Sequence, residues 1–376
     1  MKKIKVVTVV GTRPEIIRLS AIIKHLNKSI SIDHYLIHTG QNYDKELNQI
    51  FFDDLNIKLP DYYLDAASET PSNTVGNILN SLHPILEKIN PDAFLVLGDT
   101  NSCLSAIVAK KMKIPIFHYE AGNRCFDQRV PEEINRKIVD VISDINLTYS
   151  DISRNYLIAE GFPPDRIIKI GSPMREVINQ NIESIKSSKI LEDLGLSKNN
   201  YFVVSFHREE NIDSKNFISF ITTLNKIAEK YNLPIIFSAH PRTQKQIENK
   251  KIKCNNLIRL IKPVNFSDYN CLQINSLITL SDSGTISEES SILKFHALNI
   301  RDAHERPESM EETSVIMTGL NPDRILQSIE TVKNQNVDKV LNGVDDYSSD
   351  NISIKVERII LSYTDYINKM IWRKEY

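Results

Sequence analysis

Cysteine is scarce in this chain: Cys103, Cys125, Cys254 and Cys271 are the only four in 376 residues. They are too few for a disulfide framework, and without C-x-x-C spacing they offer no structural zinc site. An excess of one charge is also missing. Lys and Arg number 46 and Asp and Glu 48, a net charge of −2, which leaves no electrostatic footprint for nucleic acid or an anionic membrane. No apolar run approaches the ~20 residues of a membrane span. Met-Lys-Lys-Ile-Lys followed by Val6-Val7-Thr8-Val9-Val10 superficially resembles a signal peptide. The run is too short for its apolar region, however, and Gly11-Thr12-Arg13-Pro14-Glu15 is no cleavage site, so a cytoplasmic protein is expected. The chain has no G-x-G-x-x-G, no Walker motif, no H-E-x-x-H and no D-x-D. No nicotinamide, Walker-type or metal site is signalled, and no cofactor or metal is expected.

Apolar residues make up 41% of the chain, enough for two cores. Short apolar runs alternate with helical patterns throughout. Strands are expected at Lys5–Val10, His34–His38, Ala93–Leu97, Ile114–His118, Ile145–Tyr149 and Ile167–Ile170. A second series is expected at Tyr201–Phe206, Pro234–Ser238, Leu257–Ile261, Ser276–Leu280 and Ser314–Met317. Such alternation implies an α/β protein with parallel sheets covered on both faces. The Gly171-Ser172-Pro173 junction divides it into Rossmann-like domains over 1–170 and 171–350. Ile352, Val356, Ile359, Ile360, Tyr363, Ile367, Met370 and Ile371 then step by three and four, so 351–376 reads as a long amphipathic helix. Packing back on a domain surface is the first reading of that helix, and a dimerisation helix is the alternative.

Ligands of open parallel sheets bind beyond the carboxyl ends of strands. Gly11–Glu15 follows the first strand, with Pro14 placed to open a helix and Arg13 placed to meet a phosphate. Gly98-Asp99-Thr100-Asn101-Ser102 follows the third, and Glu120-Ala121-Gly122-Asn123-Arg124 the fourth. Pro131-Glu132-Glu133-Ile134-Asn135-Arg136 opens another helix. Asp99 could be only a helix cap, but Glu120 directly follows a buried run, where capping explains little. Carboxylates gathered in one place suit proton transfer, because neighbours can split their pKa values into acid and base. In the second half, runs end at His207-Arg208-Glu209-Glu210-Asn211, at His240-Pro241-Arg242 and at Ser281-Asp282-Ser283-Gly284-Thr285-Ile286-Ser287-Glu288-Glu289. The last suits phosphate at Ser283, Gly284 and Thr285, with Glu289 available for ribose hydroxyls. These features suggest a nucleotide-linked substrate bridging two domains.

Those motifs, with Glu305-Arg306-Pro307-Glu308, occur in an order that resembles the non-hydrolysing UDP-N-acetylglucosamine 2-epimerase family. The resemblance implies a glycosyltransferase-B-like fold with an interdomain cleft, a UDP-linked 2-acetamido sugar as ligand and a homodimer. It implies Asp99, Glu120, Glu132 and His207 as catalytic residues, supported by Arg136. It places the diphosphate on Arg13 and Ser283-Gly284-Thr285, the ribose on Glu289 and the uracil beside Tyr269. Arg306 would also bind substrate, and Arg18 stands where relatives usually carry Lys, keeping charge but not geometry.

A C2 proton with no neighbouring carbonyl is not acidic, and no electron sink is signalled. What remains is elimination of UDP to a glycal-type intermediate and re-addition, with groups on both faces of the ring. A glycosyltransferase of the same fold is the rival reading. Gln41-Asn42-Tyr43-Asp44-Lys45-Glu46-Leu47-Asn48 departs from the Gln-His-Arg motif with which some relatives bind an activating second UDP-sugar, so that activation is not expected. Asn123 and Phe126, in the loop after Glu120, together with Gln41-Asn42-Tyr43-Asp44, resemble the branch acting on UDP-2-acetamido-2,6-dideoxy-L-talose, which yields UDP-N-acetyl-L-fucosamine for capsule or O-antigen. That is the expected substrate, with UDP-N-acetylglucosamine as the alternative.

Overall fold

A computed structural model describes residues 2–41, 45–206, 215–239, 243, 246–247, 252–341 and 343–375, apart from the side chains of 45–48 and 215–216. The chain divides into two compact units. The first runs through Gln180 and resumes at Ser348; the second is Asn181–Tyr347.

In the first unit, β1 (Ile4–Val10), β2 (Ile32–His38), β3 (Tyr62–Tyr63), β4 (Ala93–Leu97), β5 (Ile116–Tyr119), β6 (Ile145–Thr148) and β7 (Ile167–Lys169) form one sheet. Its order is β3-β2-β1-β4-β5-β6-β7, and every pairing is parallel. In the second, β8 (Phe202–Ser205), β9 (Ile235–Ser238), β10 (Ile258–Ile261), β11 (Ile278–Ser281), β12 (Ala297–Asn299) and β13 (Ile316–Met317) form another, in the order β10-β9-β8-β11-β12-β13. Its pairings are parallel too. The central strands are buried along their whole length, as sheets with helices on both faces require. Each unit has its own core. Val7, Val9, Phe94, Val96, Ile116 and the helix residues Ile78, Leu82 and Leu86 pack together in the first. Phe202, Val204, Phe220, Leu224, Phe237 and Leu280 do so in the second.

Strand order reverses between β1 and β4, and again between β8 and β11. Chain segments leaving the carboxyl ends of such neighbours diverge to opposite faces and leave a crevice at the reversal. The segments after β1 and β4, and those after β8 and β11, are therefore the positions to inspect for chemistry.

Some element ends differ from expectation. β5 begins at Ile116, not Ile114, because Pro115 has no N–H to give a ladder; its carbonyl accepts from Phe94 N at 2.9 Å instead. The strand runs on through Tyr119, so Glu120 is the first residue beyond it. The short strands β3 and β12 were not expected at all. Gly171-Ser172-Pro173 forms the loop before the Met174–Ser187 helix, and the division between units falls within that helix, after Gln180.

The Ile352–Met370 helix lies in the first unit and packs against the Arg13–Lys28 helix. Ile352, Val356, Ile360 and Ile367 are fully buried, whereas Met370 and Ile371, expected on the same stripe, face solvent. Polar contacts fix it at both turns of its first half. Ser353 N donates to Glu176 Oε2 at 2.8 Å and its hydroxyl donates to the other oxygen of the same carboxylate. Glu357 accepts from Ser29 and lies 2.6 Å from His25 Nε2. Beyond the helix, the Lys110 ammonium sits 5.0 Å from the centre of the Trp372 ring and pairs with Asp144 at 2.5 Å. Among the described residues, no helix is long and apolar enough to cross a membrane.

Candidate active site

Gly11 ends β1 in a space no side chain could share: a Cβ there would come within 2.2 Å of Thr39 Oγ1. The Arg13–Lys28 helix starts two residues later, with Pro14 in its first turn. Glu15, in the third position, folds back over this turn. Its Oε2 accepts from Gly11 N at 2.6 Å and Thr12 N at 2.9 Å. Its Oε1 accepts from the hydroxyls of Thr100 and Ser102, across the strand reversal. Burial pushes the Glu15 pKa up, while these four donors pull the other way. Glu15 was not among the expected site residues, although Thr12-Arg13-Pro14-Glu15 carries the capping-box spacing that announces it. Arg13 is half-buried, its guanidinium 5.6 Å from the centre of the Phe51 ring.

Glu120 is buried and adopts φ +68°, in the left-handed region that a bulky side chain rarely enters. Its carboxylate forms an ion pair with Arg18, from the inner face of the first helix. The Tyr149 hydroxyl donates to the same carboxylate oxygen at 3.0 Å. Two of the expected residues, Arg18 and Glu120, thus meet directly, and Tyr149 joins them from the residue after β6.

Asp99 lies in the turn after β4 and pairs with Arg136, which is fully buried. The second amino group of Arg136 reaches Glu133 Oε2 at 2.6 Å, and Asn135 Nδ2 donates to the Asp99 carbonyl at 3.0 Å. The Pro131–Ile142 helix therefore turns Glu133, Arg136 and Asp140 inward, at i, i+3 and i+7. Glu132, the expected catalytic residue, is half-buried one position round the helix from Glu133. Asn123 is wholly buried, and its Oδ1 accepts from the Ser153 hydroxyl at 2.8 Å. Phe126 is 71% exposed and meets the Tyr156 ring edge-on.

In the second unit, Ser283-Gly284-Thr285 forms the turn into the Ile286–Leu293 helix. Ser283 N donates to Ser281 Oγ at 3.0 Å, and the Ser283 and Thr285 hydroxyls lie 2.9 Å apart. Glu289 accepts from Gln273 Nε2 at 2.9 Å. Arg306 is buried, with Nε 3.4 Å from the fully buried Glu288. Tyr269 is half-buried, packed with Val264 against Val203, Ile236 and Leu272. Burial raises the Glu308 pKa, and its carboxylate accepts from the Tyr347 hydroxyl at 2.8 Å. His207 and the His240-Pro241-Arg242 stretch lie outside the described residues, as do Asn42, Tyr43 and Asp44. Among the described residues, no three His, Cys, Asp or Glu come together as a metal-holding group.

The first unit thus offers two carboxylates, each against its own arginine, at neighbouring strand ends. The second offers a hydroxyl-lined turn into a helix N-terminus, suited to phosphate.

A family model described as UDP-N-acetylglucosamine 2-epimerase matches residues 24–361. The structure of a UDP-N-acetylglucosamine 2-epimerase from Rickettsia bellii is similar with a TM-score of 0.93 and 48% identity, covering 99% of this chain and 100% of that one. The protein of the same name from Methanocaldococcus jannaschii is 36% identical over 346 residues, 88% of this chain and 93% of its own. Its structure in complex with UDP-GlcNAc and UDP gives a TM-score of 0.88 at 34% identity, over 96% of this chain and 100% of that one. A glycosyltransferase from Rickettsia africae, 15% identical with a TM-score of 0.57, shares the fold alone. The two parallel sheets are a glycosyltransferase-B-like arrangement.

Proposed function

The chain belongs to the UDP-N-acetylglucosamine 2-epimerase family, and from that membership we infer that it inverts C2 of UDP-N-acetylglucosamine to give UDP-N-acetylmannosamine. The observation that carries the chemistry is the pair of separately held carboxylates, Glu120 with Arg18 and Asp99 with Arg136. Epimerisation by elimination needs an acid–base group on each face of the sugar ring. One carboxylate takes the C2 proton as UDP leaves C1, and a group on the other face protonates C2 when UDP adds back. Glu132 and His207 complete the proposed set. The diphosphate is assigned to Ser283, Gly284, Thr285 and Arg13, whose donors stabilise negative charge as it departs. Glu289 is assigned to the ribose and Tyr269 to the uracil, with Arg306 also on the nucleotide.

UDP-N-acetylglucosamine is placed ahead of UDP-2-acetamido-2,6-dideoxy-L-talose for two reasons. Relatives up to 48% identical carry the former name, and Asn123, one of the residues behind the latter reading, is turned into the interior toward Ser153. The L-talose sugar stays as a second reading on one observation: Phe126, beyond Glu120, is 71% exposed and could meet an apolar substituent such as a C6 methyl group.

Both sugars offered separately in heavy water, with products followed by NMR, test the proposal. UDP-N-acetylglucosamine should yield the manno epimer with deuterium at C2 and no acceptor present. Turnover of the L-talose sugar alone would reverse the order of the two readings. Release of free sugar and UDP, or a product without deuterium, would exclude reversible elimination.

A further inference from the structure

Beside Glu120 lies a set of charged and polar groups, buried except for its outermost member Glu160, with no part in the chemistry just described. His118, on β5, is fully buried. Its Nε2 lies 2.7 Å from the Gly98 carbonyl oxygen and its Nδ1 2.9 Å from Asp140 Oδ1. Asp140 Oδ2 accepts from Arg124 Nη1 at 2.7 Å, and the carboxylate also receives Gly122 N at 3.2 Å and 3.3 Å. Arg124 is held in turn by the Asn123 carbonyl at 2.7 Å and by both oxygens of Glu160 at 2.8 Å and 2.6 Å.

The three segments that meet here are those that carry the candidate carboxylates. Gly98 immediately precedes Asp99. His118 and Gly122 bracket Glu120, two residues away on each side. Asp140 is on the helix that bears Glu132, Glu133 and Arg136. Stability alone does not call for such a cluster, because buried charges are expensive to desolvate and well-packed apolar groups hold a fold as well. What the cluster supplies is direction. Glu120 at φ +68° and Gly122 at φ +77° form a turn that persists only where its surroundings over-determine it. Asp140 grips that turn from the helix side, and His118 links it to the turn of Asp99.

We propose that His118 and Asp140 are positioning residues for the epimerisation, fixing Asp99, Glu120 and the Pro131–Ile142 helix relative to one another. The proposal rests on the function inferred above. Neither residue is assigned a contact with substrate; both act through the groups they hold.

The test uses the full chain with Asp140→Asn, which keeps shape and removes charge, and His118→Gln, whose amide can still donate toward Gly98 while losing Asp140. Turnover, KM for UDP-N-acetylglucosamine, UDP affinity by calorimetry and the thermal midpoint are measured for each. The expected result is a 30-fold or greater loss in kcat, with KM and UDP affinity within threefold of the parent. The double variant should lose no more than the worse single one, because His118→Gln gives up only the contact with Asp140, which Asp140→Asn already weakens. His118→Ala, which cannot reach Gly98, should fall below His118→Gln. A folded Asp140→Asn or His118→Gln protein with kcat within threefold of the parent overturns the proposal; if Asp140→Asn does not fold, His118→Gln decides. Losses that add in the double variant, or that follow the thermal midpoint, reduce the cluster to a structural one and also overturn it. A parent chain that epimerises no UDP-sugar overturns the proposed function and takes this proposal with it.

Discussion

Glu120 occupies left-handed backbone and a buried ion pair at once, and both features point to a residue kept for its chemistry. Glu120→Gln keeps its size and removes its charge; turnover should fall at least ~100-fold while UDP affinity holds, as expected for loss of an acid–base group. Near-parental turnover would remove Glu120 from the mechanism. The sequence makes this residue visible because a buried apolar run stops abruptly at a carboxylate. It does not show that Arg18, 102 positions earlier, is the ionic partner, because such pairing follows from strand order rather than spacing. Two histidines give a second prediction. Burial holds His34 down to about 3 and His38 to about 4. The unfolded chain takes a proton near pH 6.5 that the folded chain refuses, so their stabilisation is present above that pH and is lost as pH falls toward 4. The loss should reach roughly 3 kcal/mol for each by pH 4. Glu15, raised by burial, opposes the trend. Urea midpoints between pH 7 and 4.5 should decline, and less so in His38→Asn, whose side-chain oxygen can still accept from Gly40 N. The same slope in both proteins would show that His38 is not responsible.

Elements with a strong period were the legible ones. β1, β4, β6 and β9 follow their apolar runs to within two residues at each end. Tyr62–Tyr63 and Ala297–Asn299 were not legible, since two or three residues carry no period and only the neighbouring strand defines them. The Ile352–Met370 helix shows the same limit from the other side. Its stripe was readable, but the polar clamp at its start, Ser353 on Glu176, joins positions 177 apart. Ser353→Ala would leave a buried carboxylate short of a donor and should cost about 2 kcal/mol. The check is a lower unfolding midpoint with unchanged affinity for UDP. An unaltered midpoint would mean that the apolar stripe alone seats the helix.

At the scale of the whole chain, each unit is built on its own core, and the first is assembled from both ends of the sequence. If UDP binds the second unit, saturation at 100 times its dissociation constant should add ~2.7 kcal/mol to that unit's stability. Calorimetric unfolding with and without UDP would reveal it, and absence of any shift would count against the nucleotide assignment. The chain also has only one indole, Trp372, tucked against Lys110 just past the terminal helix. Excitation at the red edge of ultraviolet absorption therefore interrogates a single place, where the last turn of the chain rests on the first unit. Intrinsic fluorescence would be an unlabelled optical gauge of that attachment. Its emission should move to longer wavelength when the terminal segment lets go, whether or not the second unit has begun to melt.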